Sequence, residues 1–220
     1  MSHTVHPYAH RLGIIRDWKS RWWALGEQYK TRLRGDVLLR EYLEKRLRGL
    51  YVSTIEMERG AHMLRIIVKT TRPGLLIGRS GEGATRLRGD IVNFLKKRRG
   101  LLESAGDIKL DIEEVRSPES NAKIVGYMVV DGLEKRMPFR RVLKQIVEKV
   151  MANRDVLGVR IKLSGRLGGA DMARQEDVRK GRIPLQTFRS DIDFARLRAT
   201  IPQGDIGVKV WIYKGEVFQK

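Results

Sequence analysis

The stretch Gly74-Leu75-Leu76-Ile77-Gly78-Arg79-Ser80-Gly81-Glu82-Gly83 constrains this chain more than any other. Its glycines let the backbone turn sharply and approach a neighbour closely. They stand between an apolar lead-in and a helix-periodic run. Two phosphate-binding loops can be set aside. A nucleoside-triphosphate loop needs Lys before Ser or Thr, so that an ammonium reaches the phosphates. Gly78 and Gly83 have that loop's separation, but Ala84 stands in the Lys position before Thr85. A dinucleotide-binding turn needs G-x-G-x-x-G directly after a strand, and the spacing fails here too. What remains is a G-x-x-G turn, Gly78 to Gly81, leading into a helix.

The flanking patterns set the context of that turn. A helix is predicted from Glu27 to Leu47, with Leu39, Leu43, Leu47 and Leu50 on one stripe and Glu41-Lys45 as an i,i+4 pair. Two strands follow, around Ile55 and Met57 and over Leu64 to Val68, joined at Gly60. Pro73-Gly74 interrupts the pattern. A helix from Glu82 to Arg98 buries Ala84, Leu87, Ile91 and Phe94 or Leu95, and a strand alternates through Ile108, Leu110 and Ile112. Arg116-Ser117-Pro118-Glu119 reads as a linker that caps the next helix with Ser117. Helices are expected over 118–136 and 138–154, the second with the stripe Phe139, Leu143 or Val142, Ile146 and Val150. Strands are expected at Val159 to Leu163 and Ile206 to Tyr213, with a hairpin over 184–199 turning near Ser190-Asp191. A strand–helix–G-x-x-G–helix–strand order with Ile77 before the turn favours a KH module over a plain helix corner, the small residues letting a single-stranded RNA backbone be clamped.

Charge points the same way. The 220 residues carry a formal net charge of +19, which calls for a polyanionic partner, nucleic acid before anionic lipid. Residues 101–150 hold nine charges of each sign, so the surplus lies elsewhere. There is no Cys, which removes disulfides, thiolate zinc sites and a Cys nucleophile. No apolar run reaches the ~18 residues of a membrane span, and the N-terminus does not read as a signal peptide.

Longer stretches carry a family likeness. They are Arg11-Leu12-Gly13-Ile14, Trp18-Lys19-Ser20-Arg21-Trp22, Arg40 to Lys45, Arg72-Pro73-Gly74 through Gly81-Glu82, Ser164-Gly165-Arg166-Leu167-Gly168-Gly169-Ala170 into Ala173-Arg174, Gly181-Arg182-Ile183-Pro184-Leu185, Arg189 to Asp193, and Ile206 to Gly215. With them the chain resembles the universal small-subunit ribosomal proteins of the KH class. The resemblance implies an α+β chain: a basic, aromatic arm over 1–25, a type II KH domain over 26–115, and a C-terminal two-layer α/β domain over 116–220, with two helices packed on a mostly antiparallel sheet. It implies a cytoplasmic, non-enzymatic ribosomal constituent in the head of the small subunit. Its partners would be rRNA, mRNA and neighbouring head proteins, with no cofactor, small-molecule substrate or membrane. In the family, basic residues after an aromatic line the channel by which mRNA enters and help unwind it; here they map to Arg140, Arg141 and Lys144, with Lys135 and Arg136 just before. Departures are Ser80 where the family usually has Lys, Gly83 in the first turn of the following helix, the start Ser2-His3-Thr4 with Ala9-His10, and Asp177-Val178 in place of an aromatic pair.

The residues support similar assignments by themselves. Lys135 to Lys144 holds five cations and no acid, and clustering cations at a helix N-terminus costs stability, which points to phosphate holding. The KH loop would bind RNA through Gly78, Arg79, Ser80 and Gly81. Candidate rRNA contacts are Arg11, Arg16, Lys19, Arg21, Arg72, Arg160, Lys162, Arg166, Arg174, Arg179 and Arg182, with Lys180 beside them, the last group on basic loops. Trp18, Trp22 and Trp23 read as anchors onto their own domain rather than stacking platforms. His3, His6 and His10 lack a carboxylate or Cys partner nearby, so no zinc site is expected. The alternatives are a free-standing KH regulator of mRNA and, further off, a Mg²⁺-dependent nucleic-acid-processing enzyme using Asp191 and Asp193, although acids flanked by Arg189, Arg196 and Arg198 more often form ion pairs.

Overall fold

A computed structural model describes residues 5–60, 63–97 and 107–218. Arg98, where the second helix was expected to end, and His3 lie outside them. The chain forms two compact units, Trp18–Arg116, and Met1–Asp17 together with Ser117–Lys220. The arm expected over 1–25 is therefore divided at Asp17.

The first unit opens with β1 (Ser20–Arg21), α1 (Gly26–Arg46), β2 (Val52–Arg59) and β3 (Met63–Thr70). It continues with α2 (Pro73–Ile77), a 3-10 turn (Arg79–Gly81), α3 (Glu82–Lys97) and β4 (Asp107–Glu114). The sheet runs β1-β2-β3-β4. β2 and β3 are antiparallel, while β4 returns parallel to β3 through the helical crossover that a parallel connection needs. Leu39 and Leu43 of α1, Leu47 at its C-terminal cap, and Leu87, Ile91 and Leu95 of α3 pack on Ile55, Met57, Leu64, Ile66, Val68 and Ile108. Each such burial stabilises by about 1.5–3 kcal/mol. Ala84 and Phe94 are only half-buried, and the Phe94 ring stacks on Tyr42 at 4.4 Å.

The second unit adds a 3-10 turn (Pro118–Ser120), α4 (Ala122–Glu134), α5 (Phe139–Met151), β5 (Gly158–Gly165), β6 (Arg174–Gly181), β7 (Ser190–Ile201) and β8 (Gly204–Glu216). The sheet order is β6-β5-β8-β7, antiparallel throughout. Its inner face buries Val159, Ile161, Leu163, Val208, Val210 and Ile212 against Val125, Val129, Leu143, Val147 and Val150 of α4 and α5.

Three expectations need correcting. The cap of α4 is Asn121, not Ser117: Asn121 Oδ1 accepts from the amides of Lys123 (3.1 Å) and Ile124 (3.3 Å), while the Ser117 hydroxyl partners that of Ser120. Residues 184–199 are no hairpin. β7 is one strand to Ile201, and the hairpin is β7–β8, turning at Pro202-Gln203; the polar pair Ser190-Asp191 marks a register shift against β8. The basic stretch at 174–181 is the edge strand β6 rather than a loop. It lacks apolar alternation because charge on an edge discourages further strand pairing.

Candidate nucleic-acid interface

The G-x-x-G turn joins α2 to α3. Gly78 adopts φ 71°, ψ −172°, and the chain then turns through Ser80 at φ 51°, a left-handed conformation costly to a residue with a Cβ. Gly83 explains itself by packing: a Cβ there would lie 2.5 Å from the Leu76 carbonyl oxygen, so only glycine lets α3 start against α2. Gly78, Arg79 and Ser80 are exposed and Gly81 half-buried, and the Arg72 guanidinium lies 4.8 Å from the Tyr51 ring centroid. The groove of about 520 Å³ beside the turn is lined by Ala84, Thr85 and Arg88 of α3 and by β4. Two of its cations are paired, Arg88 with Asp107 (2.8 Å) and Arg65 with Asp111 (2.5 Å), while Lys109 also lines it.

Arg11 is no surface contact. It is fully buried and donates to the carbonyls of Pro7, Leu185, Thr187 and Ser190 at 2.6–2.9 Å. Burial lowers its pKa, Asp191 works against that shift, and Arg16 adds to it. A guanidinium survives burial only when its donors are satisfied, and here the chain satisfies them itself. Arg16 pairs with Asp191 at 2.5 Å, and Arg21 lies between Glu56 (3.0 Å) and Glu58 (2.7 Å). Lys19 is exposed. Trp22 is an anchor, its indole donating to buried Asp36 at 2.7 Å, whereas Trp18 and Trp23 are exposed.

The basic run at 135–144 sits where α4 hands over to α5. The last carbonyls of α4 are closed by Arg136 N onto Leu133 O (2.9 Å) and Met137 N onto Gly132 O (3.1 Å). This puts Arg136 at φ 58°, a position glycine usually takes. Lys135, Arg136, Arg140, Arg141 and Lys144 are all exposed, and α5 buries Val142, Leu143, Val147 and Val150 on its other side. Of the five, Arg140 has a carboxylate partner, Glu176 of β6 at 3.2 Å. That hydrogen bond, with the Glu176 field, raises the Arg140 pKa. Arg174 reaches the same Glu176 at 3.5 Å, and both guanidinium carbons lie 5.6 Å from the Phe139 ring centroid. Arg174, grouped by sequence with the C-terminal basic stretch, is thus joined to the α5 face. Sequence reasoning missed Glu176, whose only sign was an acid within a basic stretch.

The other C-terminal cations spread over β5, β6 and their turns. Arg160 pairs with Asp177 (2.7 Å) and lies over Trp211; Arg166 donates to the carbonyls of Ala170 and Gln203 and reaches Asp171. Lys162 is half-buried, and Arg179, Lys180 and Arg182 are exposed.

Asp191 and Asp193 do not form a metal pair. Asp191 holds Arg16, and Asp193 accepts from the Ala122 amide at 2.8 Å, at the first turn of α4. Among the described residues no cluster of three His, Cys, Asp or Glu side chains could hold a metal ion. His6 packs edge-on to Phe194 and His10 stacks on Phe188. No helix among the described residues is long and apolar enough to cross a membrane.

Comparison with known proteins agrees with this layout. A family model described as KH domain matches residues 38–120, and one described as ribosomal protein S3, C-terminal domain, matches residues 129–212. The chain is 44% identical over 217 residues to small ribosomal subunit protein uS3 of Coxiella burnetii, covering 99% of this chain and 91% of the relative. It is 45% identical over 217 residues to that of Alcanivorax borkumensis, covering 99% and 90%. With that of Nitrosococcus oceani it shares 42% identity over 220 residues, covering 100% and 94%.

Proposed function

Because the chain belongs to the uS3 family of small ribosomal subunit proteins, we propose that it is a structural, non-enzymatic constituent of the small subunit that binds rRNA and handles incoming mRNA. The observation that carries the mRNA reading is the α4–α5 junction. Lys135, Arg136, Arg140, Arg141 and Lys144 are all exposed within ten residues of this junction, and only Glu176 pairs with any of them among the described residues. Uncompensated cations within reach of one another hold a polyphosphate strand, and single charge-assisted contacts release it as readily as they form. Arg174 extends the face onto β6. A passing message would be gripped through its backbone, so sequence would not matter, and base pairs would open as the strand is drawn past.

rRNA anchoring falls to the remaining surfaces: the Gly78–Gly81 turn with Arg72, then Arg16 and Lys19, then Arg160, Lys162, Arg166, Arg179 and Arg182; Arg21, held by Glu56 and Glu58, is left to its own sheet. Arg11 drops out of this set. Neighbouring head proteins and a cytoplasmic, ribosome-bound location belong to the same reading.

Co-sedimentation tests the ribosomal assignment: the protein should stay with small subunits through a high-salt wash, and its loss would leave the free-standing regulator in possession. Arg140→Ala with Arg141→Ala should slow translation through a stable mRNA hairpin several-fold while subunits assemble normally. Unchanged hairpin passage would remove the message-handling role. Gly78→Asp with Gly81→Asp should weaken RNA binding by the full-length chain through bulk and repulsion; equal affinity would make the turn purely architectural.

A further inference from the structure

Register aligns three cations on the outer face of the C-terminal sheet. Lys162 of β5 lies directly opposite Lys209 of β8, and Lys209 directly opposite Arg196 of β7. Their strand neighbours Ile161, Leu163, Val208, Val210 and Ala195 are buried in the inner core, so the three side chains stand on the other face. Lys209 and Arg196 are exposed and Lys162 half-buried. Adjacent strands are about 4.8 Å apart, so the row spans about 10 Å.

No carboxylate pairs with any of the three among the described residues. Asp177, in register with Lys162, is held by Arg160 at 2.7 Å, and Asp205 pairs with Arg198 at 3.2 Å. Like charges directly opposite one another destabilise a sheet. Elsewhere on this face the exposure problem is solved internally: Ile192, Phe194, Trp211 and Tyr213 are covered by Ile183, Leu185 and His6. The charged part is left open and continues into Arg160 and Arg179 on one side and Arg198 on the other.

We propose that the Lys162–Lys209–Arg196 row is a binding site for the phosphate backbone of small-subunit rRNA. The inference rests on the ribosomal reading above and adds Lys209 and Arg196 to its contacts. A flat, one-signed row fits a repeating phosphate chain. Phosphates would neutralise a repulsion that the folded protein otherwise carries, and no base edge need be read. The sequence hid the row because Lys209 and Arg196 come from strands in which each is merely the polar residue of an apolar alternation.

The test compares the full-length chain with Lys209→Gln plus Arg196→Gln, and with Lys96→Gln on α3 as a charge control. Relief of repulsion should leave the melting temperature of the double variant unchanged or raised. In competition with the unmodified chain for incorporation into small subunits, it should lose about 10-fold at 200 mM salt, and its log–log salt slope should fall by about 1.5, close to the value expected for two lost phosphate contacts. In assembled subunits an amine-directed crosslinker should join Lys209 to rRNA. A salt slope equal to that of the control overturns the inference, as does a crosslink to protein alone. If the unmodified chain itself fails to enter subunits, it is the ribosomal reading that falls.

Discussion

The two sheets of this protein carry similar charged residues on their outer faces and use them in opposite ways. In the KH sheet, Arg21 sits between Glu56 and Glu58, Arg65 between Glu58 and Asp111, and Lys69 between Glu56 (3.0 Å) and Glu113 (3.5 Å). Each of these three cations has two acids. In the C-terminal sheet, Lys162, Lys209 and Arg196 have none among the described residues. Net charge cannot tell these faces apart, since both contain several cations. Placement of the acids does: a cation paired twice serves its own fold, and a cation in line with other cations is left for a partner. Lys69 shows the first case. Desolvation lowers its pKa, but the hydrogen bonds and field of Glu56 and then Glu113 outweigh it, so the pKa is raised from 10.5. Its stabilising contribution is complete at neutral pH and is lost only as pH climbs above the ordinary lysine range.

Breaking this contrast should hurt most where charge is buried. Asp36, on α1, is almost wholly buried with Arg59 at 2.5 Å and accepts from Trp22. Asp36→Ala strands the Arg59 charge and should cost about 3–5 kcal/mol in urea unfolding. A loss under 1 kcal/mol would mean the pair is relieved by water. Glu56→Gln, which removes one of the two acids beside each of Arg21 and Lys69 on a partly exposed face, should cost about 1 kcal/mol or less and leave the affinity for rRNA within twofold. If affinity changed more than stability, the distinction between the faces would fail. Glu176→Gln should do the reverse of a destabilising change. It removes a carboxylate that competes with phosphate for Arg140 and Arg174, so binding of single-stranded RNA at moderate salt should rise about threefold. The smallest effect is expected at Arg136, where glycine fits the left-handed conformation better: Arg136→Gly should stabilise by about 0.5–1 kcal/mol in thermal melts while slowing hairpin passage.

How far the sequence reached depended on whether a residue's neighbours were local. Leu87, Ile91 and Leu95 announce their face of α3 by spacing alone, and the G-x-x-G turn announces itself between α2 and α3. The family likeness carried the division into a KH part and a C-terminal part, which the matches at 38–120 and 129–212 bear out. What stayed hidden needed partners far along the chain. Arg11 looks like any arm cation until the carbonyls of Leu185, Thr187 and Ser190 close around it. β6 hid because an edge strand of charged residues has the composition of a loop. Arg174 was assigned away from Arg140 because only the fold brings both to Phe139 and Glu176. Asn121 lost to Ser117 as a cap because the Ser-Pro pair satisfies the same local rule without making the bond.

The buried guanidinium of Arg11 also sets a timetable. Three of its four acceptors lie 174 to 179 residues further along. Translation delivers residues in order, so the segment around Arg11 must wait, without its distant acceptors, while the whole KH unit is made. Only when the start of β7 emerges can that segment lock into place. The segment around Arg11 is thus fastened only after residues made much later, which ties its docking to completion of the C-terminal unit.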